Sequence, residues 1–488
     1  MTTRSTTAPT PVPRPPVPHP PGAPARPAPR DVPVLDGPHR RVLEVTSRGP
    51  DPAVRYRLRS LGLSPAPGDE PYVERVADVP LSAKTFTELS AVARTVAAGA
   101  ELRAVVDHFR TPRGHTPPGF RIELELEREG ILRADLVRDI GYDADGVLRP
   151  TNVLYSADSA NPYEIAPIAP LIANLTCNPG IIYDLFLNDP KANVGSAFGT
   201  RDEVMTEIGR ILGPGCDISV ELDDPFADVD HVLEEAEHFR SMLGRWRVVI
   251  KVPHTGPVNA ANAQQLLTGD KRLDRWWWEP ATSDAFHGHR LALLLHEHGF
   301  RVNFTLMFEP HQTQLALQAR PAYVNAFIRH RLTQSGRLAA LLDAHAASGD
   351  DAILGTLREY LLRTDHLPGG DTEHDLADCR RMAERIVDHR RFREAEGADG
   401  LDSARHALRL LRSANLPETR LIVCSMEGER AYPQIDRMLA SDEFADMTHR
   451  LVVTAEPQYL ARFASANQVV SYQRRFLTAA SRGDLKPG

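Results

Sequence analysis

The 488 residues read as an α/β chain: a (β/α)8 TIM barrel behind a small α+β domain and a disordered proline-rich N-terminus. Eight short aliphatic or β-branched runs recur beyond residue 152, at 153–157, 171–177, 218–222, 248–252, 302–308, 323–328, 421–424 and 451–454. They are nearly all apolar, as strands covered on both faces of a sheet must be. Helical segments separate them, and that alternation predicts parallel strands that close on themselves. Length independently predicts roughly two to three domains.

From the N-terminus, residues 1–30 hold 11 of the 40 prolines and no acidic residue. Such a segment buries too little apolar surface to offset its ordering entropy, so a disordered tail is expected. A proline-rich ligand for a recognition domain is the functional alternative. Residues 31–150 mix strand-like and helical stretches, with a helical pattern over 85–100 and an alternating strand pattern over 120–127. They carry no catalytic constellation and read as a small α+β domain of unknown role. The barrel is assigned to 151–488. About 50 residues separate its fourth and fifth strands and about 90 its sixth and seventh, more than one crossover helix needs. Insertions are therefore expected near 262–290 and 332–405.

Composition excludes several classes. Four cysteines without short pairings make neither a disulfide framework nor a zinc site. No run approaches the ~20 apolar residues of a membrane span, and the start lacks an apolar signal core, so a cytoplasmic protein is expected. The net charge of −8 argues against nucleic acid as a partner. The 57 basic residues comprise 52 arginines and only five lysines, Lys84, Lys191, Lys251, Lys271 and Lys486. Where arginine has replaced lysine almost everywhere, a surviving lysine is a flag for ε-amino chemistry.

Polar residues at the carboxyl ends of barrel strands are the catalytic candidates. Lys251 sits in Arg247-Val-Val-Ile-Lys-Val-Pro, flanked by aliphatics. Burial favours its neutral amine, a nucleophile toward carbonyls; the alternative is a lysine snorkelling to solvent. Glu221 ends the strand before it. Asn303 and Thr305 lie two apart on the next strand, so they share a face. Asp158, Asn178 and Ser425 end or follow three other strands. Each alone reads equally as a turn former or helix cap. Together they place one amine, two carboxylates and several amides or hydroxyls around one mouth, the inventory for imine formation and carbon–carbon cleavage.

These residues resemble the transaldolases, class I aldolases with a barrel fold, over roughly 152–465. The anchors are Leu-Thr-Cys-Asn-Pro-Gly-Ile-Ile (175–182), Ser-Val-Glu-Leu-Asp (219–223), Val-Ile-Lys-Val-Pro-His-Thr-Gly (249–256) and Val-Asn-Phe-Thr-Leu-Met-Phe (302–308). The resemblance implies a lysine Schiff base at Lys251 with a donor ketose. It makes Glu221 the acid/base acting through a water held by Thr305, and gives Asp158 an assisting role in proton transfer. Asn178 and Asn303 would bind hydroxyls or the intermediate. A glutamate at 221 favours the transaldolase branch over related fructose-phosphate aldolases, which use glutamine there.

Three departures bear on the substrate. After strand six the family's Ser-Pro-Phe-Val-Gly-Arg becomes Asn325-Ala-Phe-Ile-Arg-His-Arg, so its serine is Asn325 and its phosphate-binding arginine falls at His330, between Arg329 and Arg331. Asn325 and Arg331 join Asn178, Asn303 and Ser425 as expected substrate-binding residues. After strand seven the family's Ser-Phe-Arg becomes Ser425-Met426-Glu427, a carboxylate where an arginine would meet phosphate. The first insertion carries Arg275-Trp-Trp-Trp-Glu, which either walls off a larger substrate or packs an inserted subdomain.

The expected activity is cleavage of a ketose or ketose phosphate, with transfer of a dihydroxyacetone unit to an aldehyde, and with neither metal nor organic cofactor. A simple aldolase and a non-catalytic barrel serving as a scaffold are the alternatives. Expected partners are sugar or sugar-phosphate substrates, without nucleic acid or membrane; a homodimer is compatible with the sequence. The histidines at 287, 289, 296 and 298 read as a polar helix face rather than ligands, because His-x-His on a helix points its rings about 200° apart.

Overall fold

The computed structural model describes residues 43–46, 53–109, 117–369, 374–424, 428–462 and 465–483. The tail expected at 1–30 lies outside them. Eight parallel strands close a barrel: β1 (Leu154–Asp158), β2 (Ile172–Thr176), β3 (Asp217–Glu221), β4 (Val248–Pro253), β5 (Arg301–Thr305), β6 (Tyr323–Phe327), β7 (Arg420–Cys424) and β8 (Leu451–Ala455). Each neighbours the next in sequence, and β8 pairs with β1.

Period-2 alternation sorts every strand into two faces. Ile218, Val220, Ile250, Val252, Val302 and Phe304 point outward into the main core beneath the helices. Leu154, Val249, Tyr323, Ile422 and Val452 point inward and pack with Ile140, which belongs to the segment preceding the barrel. Higher in the interior the layer turns polar: Asn174 donates to Ser156 Oγ at 3.0 Å, and Ser219 lies 3.2 Å from Asn174 Oδ1.

The strand expected over 302–308 stops at Thr305. Leu306 has φ of 52°, in the left-handed region where a side chain bearing Cβ is strained, and there the chain leaves the sheet. Ahead of β5, helix His287–Glu297 lies close to β4, since a Cβ on Gly288 would meet Pro253 O at 2.2 Å. Between β6 and β7, helices Ile328–Ser348, Asp351–Arg363 and Leu376–His389 build their own core from Leu338, Leu357, Leu361, Cys379 and Ala383. Trp276 of the first insertion packs against that core.

The chain divides into two compact units, Met1–Ala97 with Leu126–Leu132, and Ala98–Glu125 with Arg133–Gly488. The division falls inside the stretch 31–150. In the smaller unit, strands Leu43–Thr46, Ala53–Arg57 and Pro80–Ser82 form an antiparallel sheet, and Phe86 of helix Ala83–Val92 stacks on Tyr56 at 4.1 Å. The helical pattern over 85–100 is interrupted: Ala93 turns extended and Thr95–Ala98 is a strand paired with Ser64–Pro65. Strand pairing, with the β-branched pair Thr95 and Val96, outweighs the helix propensity of the neighbouring alanines. The alternating 120–127 segment is the strand Phe120–Leu126. No helix among the described residues is long and apolar enough to cross a membrane.

Candidate active site

Strand register assembles the mouth. Glu221 pairs with Lys251, and Lys251 with Asn303, so three inward side chains stand in one row on β3, β4 and β5. Thr305 is one inward position further along β5 and is buried. Lys251 is only 4% exposed; its Nζ lies 3.0 Å from Glu221 Oε2 and donates to Cys177 O at 3.1 Å. Across the interior, Asp158 Oδ1 accepts from Thr176 Oγ1 at 2.8 Å.

The electrostatics correct one expectation. Burial does oppose the charge on Lys251, but the carboxylates of Glu221 and Asp158 outweigh it, so the amine is held above its ordinary range. Asp158 moves the other way from a typical paired carboxylate. Its burial dominates over the attraction of Lys251, and its carboxyl is raised. The amine at rest is therefore an ammonium, with an acid of raised pKa nearby and a carboxylate within reach of its proton. The thiol of Cys177, whose carbonyl oxygen meets Lys251, is pushed up to about 12 by burial and packs against Met205 in the main core.

Several polar groups around this set lack partners. Neither amide atom of Asn303, nor Asn325 Oδ1, nor Thr454 Oγ1 finds a hydrogen bond among the described residues, although all three side chains are buried. Buried polar groups are nearly always paired, so such a group needs a reason. Thr454 and Thr176 escaped the sequence reading. The available signal was a polar residue at an alternate position of an otherwise apolar strand.

Other expected residues are put to different uses. Asn178 Oδ1 accepts from Ile181 N–H at 2.9 Å and ties down the start of the helical turns Gly180–Leu187, the cap alternative. Arg331 is buried and spent: its guanidinium grips Asp402 through Nε at 2.8 Å and also Nη2, and gives Nη1 to Glu309 at 2.6 Å. It braces the loop after β5 against the helices and has no free fork for substrate. Successive helical residues point about 100° apart, so its neighbours face elsewhere. Arg329 is the one whose charge Asp158 feels, and His330 packs edge-on against Phe308 at 5.3 Å. Ser425 and Glu427 lie outside the described residues. Of the histidines, His287 bonds Pro225 O at 2.7 Å and stacks on Phe226. No group of three or more potential ligands that could hold a metal ion occurs among the described residues.

Residues 155–356 match the model of the Transaldolase/Fructose-6-phosphate aldolase family, a span that runs from β1 past β6 and contains Asp158, Glu221, Lys251, Asn303 and Thr305. No curated protein matches the chain.

Proposed function

We propose that Lys251 is the Schiff-base lysine of a transaldolase-type reaction on a ketose or ketose phosphate, a reading supported by the match of residues 155–356 to the transaldolase/fructose-6-phosphate aldolase family. The family is one of aldolases and transaldolases, so class I aldolase chemistry is the coarse reading. The observation carrying the finer one is the 3.0 Å approach of a buried Lys251 Nζ to Glu221 Oε2, with Asp158 in the same field.

The ammonium first gives a proton to Glu221 or Asp158. The neutral amine adds to the ketose carbonyl; the carbonyl oxygen leaves as water, and an iminium remains on Lys251. A carboxylate, directly or through a water, takes the proton of the hydroxyl on the fourth carbon. The bond between the third and fourth carbons breaks, its electrons pass into the iminium to give an enamine, and an aldehyde departs. Attack of the enamine on a second aldehyde and hydrolysis of the new iminium complete a dihydroxyacetone transfer. Asn303, Asn325 and Thr454 supply unpaired groups suited to the hydroxyls of such a sugar. With Arg331 held by Glu309 and Asp402, we assign a terminal phosphate to Arg329, whose charge reaches Asp158.

The test is borohydride reduction in the presence of fructose or fructose 6-phosphate, followed by peptide mapping. The adduct is expected on Lys251. Its absence there, while a known transaldolase labels in parallel, would sink the proposal. Measuring aldehyde product with and without an added acceptor separates transfer from release of a free three-carbon fragment.

A further inference from the structure

The three consecutive tryptophans of the first insertion take no part in the chemistry above. Trp276 packs into the core of the inserted helices and stacks on Trp278, with ring centres 4.4 Å apart. Trp277 meets Trp278 edge-on at 5.3 Å and 82°. Two indoles held at right angles make a corner that offers one aromatic face and one edge. They remain 46% and 45% exposed, and both line a cavity of about 510 Å3. Met382 and Ile386 supply further apolar wall. The volume is that of a small-molecule site, and the lining, mostly apolar with a few polar groups, is what such sites use.

The charges make the cavity selective. Its single carboxylate, Glu309, is already saturated: Oε1 takes Arg390 at 3.0 Å and Oε2 takes Arg331 at 2.6 Å. Arg385, at the exposed end of the lining, pairs with no carboxylate among the described residues. His366 presents an Nε2 that is enclosed and unpartnered among the described residues. Burial lowers its imidazole to about 4, so it stands neutral near pH 7. The cavity thus offers an aromatic corner, one uncompensated cation and one unsatisfied ring nitrogen.

We propose that this cavity binds a small planar aromatic anion, its ring lying against the corner formed by Trp277 and Trp278 and its acidic group held by Arg385. None of its lining residues belongs to the barrel-mouth set around Lys251, so the inference stands independently of the aldolase reading.

The full chain is titrated calorimetrically with naphthalene-2-carboxylate and with neutral naphthalene-2-carboxamide, probes of one shape and different charge. Saturable single-site binding is expected, with the carboxylate about tenfold tighter, the scale of one charged hydrogen bond. Arg385→Gln is expected to level the two affinities, and Trp277→Ala to weaken both about tenfold. Absent saturable binding, equal affinities in the native chain, or unaltered binding in Trp277→Ala would each overturn the proposal. Arg385 is exposed and Trp277 nearly half so, and unchanged thermal midpoints check folding; if Trp277→Ala fails to fold, the charge comparison in Arg385→Gln decides. Borohydride labelling of Lys251 is expected to persist in both variants, which separates failure here from failure of the aldolase reading.

Discussion

The two ends of the barrel interior each bury charge, and they do so in opposite ways. At the floor, Asp217 is wholly buried, and its carboxylate is saturated. Arg138 Nε reaches it at 2.9 Å, Arg301 Nη1 at 2.8 Å and Tyr323 OH at 2.6 Å. Burial raises its carboxyl, but the two guanidiniums outweigh that and hold it lowered. At the mouth, two carboxylates converge on a single amine, one carboxyl is raised, and buried amides and a hydroxyl remain unpaired. A charge network that serves only folding closes on itself. One that serves a reaction keeps capacity open for atoms that arrive later, and the contrast within one barrel is better evidence of function than either end alone.

The floor is where the contrast is easiest to break. Asp217→Asn leaves Arg138 and Arg301 buried around a neutral amide. A loss of about 3–5 kcal/mol is expected, the range for removing one member of a buried ion pair. Urea unfolding followed by tryptophan fluorescence measures it. The folded fraction should still label at Lys251, because the mouth draws on other residues. A loss below about 1 kcal/mol would mean that the floor is no more than an exposed pair in its energetics.

Much of this architecture was legible in advance, for a physical reason. Strands covered on both faces must be apolar throughout, so all eight barrel strands appeared as runs, each within a few residues of its place. Lys251 stood out because a lysine between aliphatics in an arginine-rich chain is anomalous. The floor was illegible because its partners are distant in sequence: Arg138 and Asp217 are 79 residues apart, and nothing local marks either as a buried partner. Arg331 was misassigned for the same reason. A basic residue after a strand looks like a ligand clamp until Asp402, 71 residues on, is found to occupy it. The resting state of Lys251 was also out of reach, since it depends on two carboxylates brought in from β1 and β3 and not on burial alone.

Glu221→Gln sharpens the mouth half of the comparison. Loss of the proposed acid/base group is expected to lower kcat roughly 100–1000-fold in the assay with acceptor. The pH behaviour carries the diagnostic sign. Glu221 and Asp158 together hold the Lys251 ammonium above its ordinary range, against burial, which favours the neutral amine. Removing one carboxylate weakens the first effect and leaves the second. The midpoint for modification of Lys251 by trinitrobenzenesulfonate, read on its peptide across pH, should therefore move down. A midpoint that stays fixed or rises would remove Glu221 as the group that governs the amine.

The smallest effect concerns Asn303, whose amide makes no hydrogen bond among the described residues while lying fully buried beside Lys251. An unsatisfied buried amide is a stability deficit, and an apolar side chain of similar size removes it. Asn303→Leu is expected to raise stability by about 1 kcal/mol in urea, with reduced adduct formation at Lys251 because the sugar loses a hydroxyl partner. The same substitution at the floor, in a carboxylate already saturated, has no such gain available. If Asn303→Leu destabilises the fold, the amide is supporting its neighbours in the manner of Asp217. The mouth would then be a second closed network and not an open one.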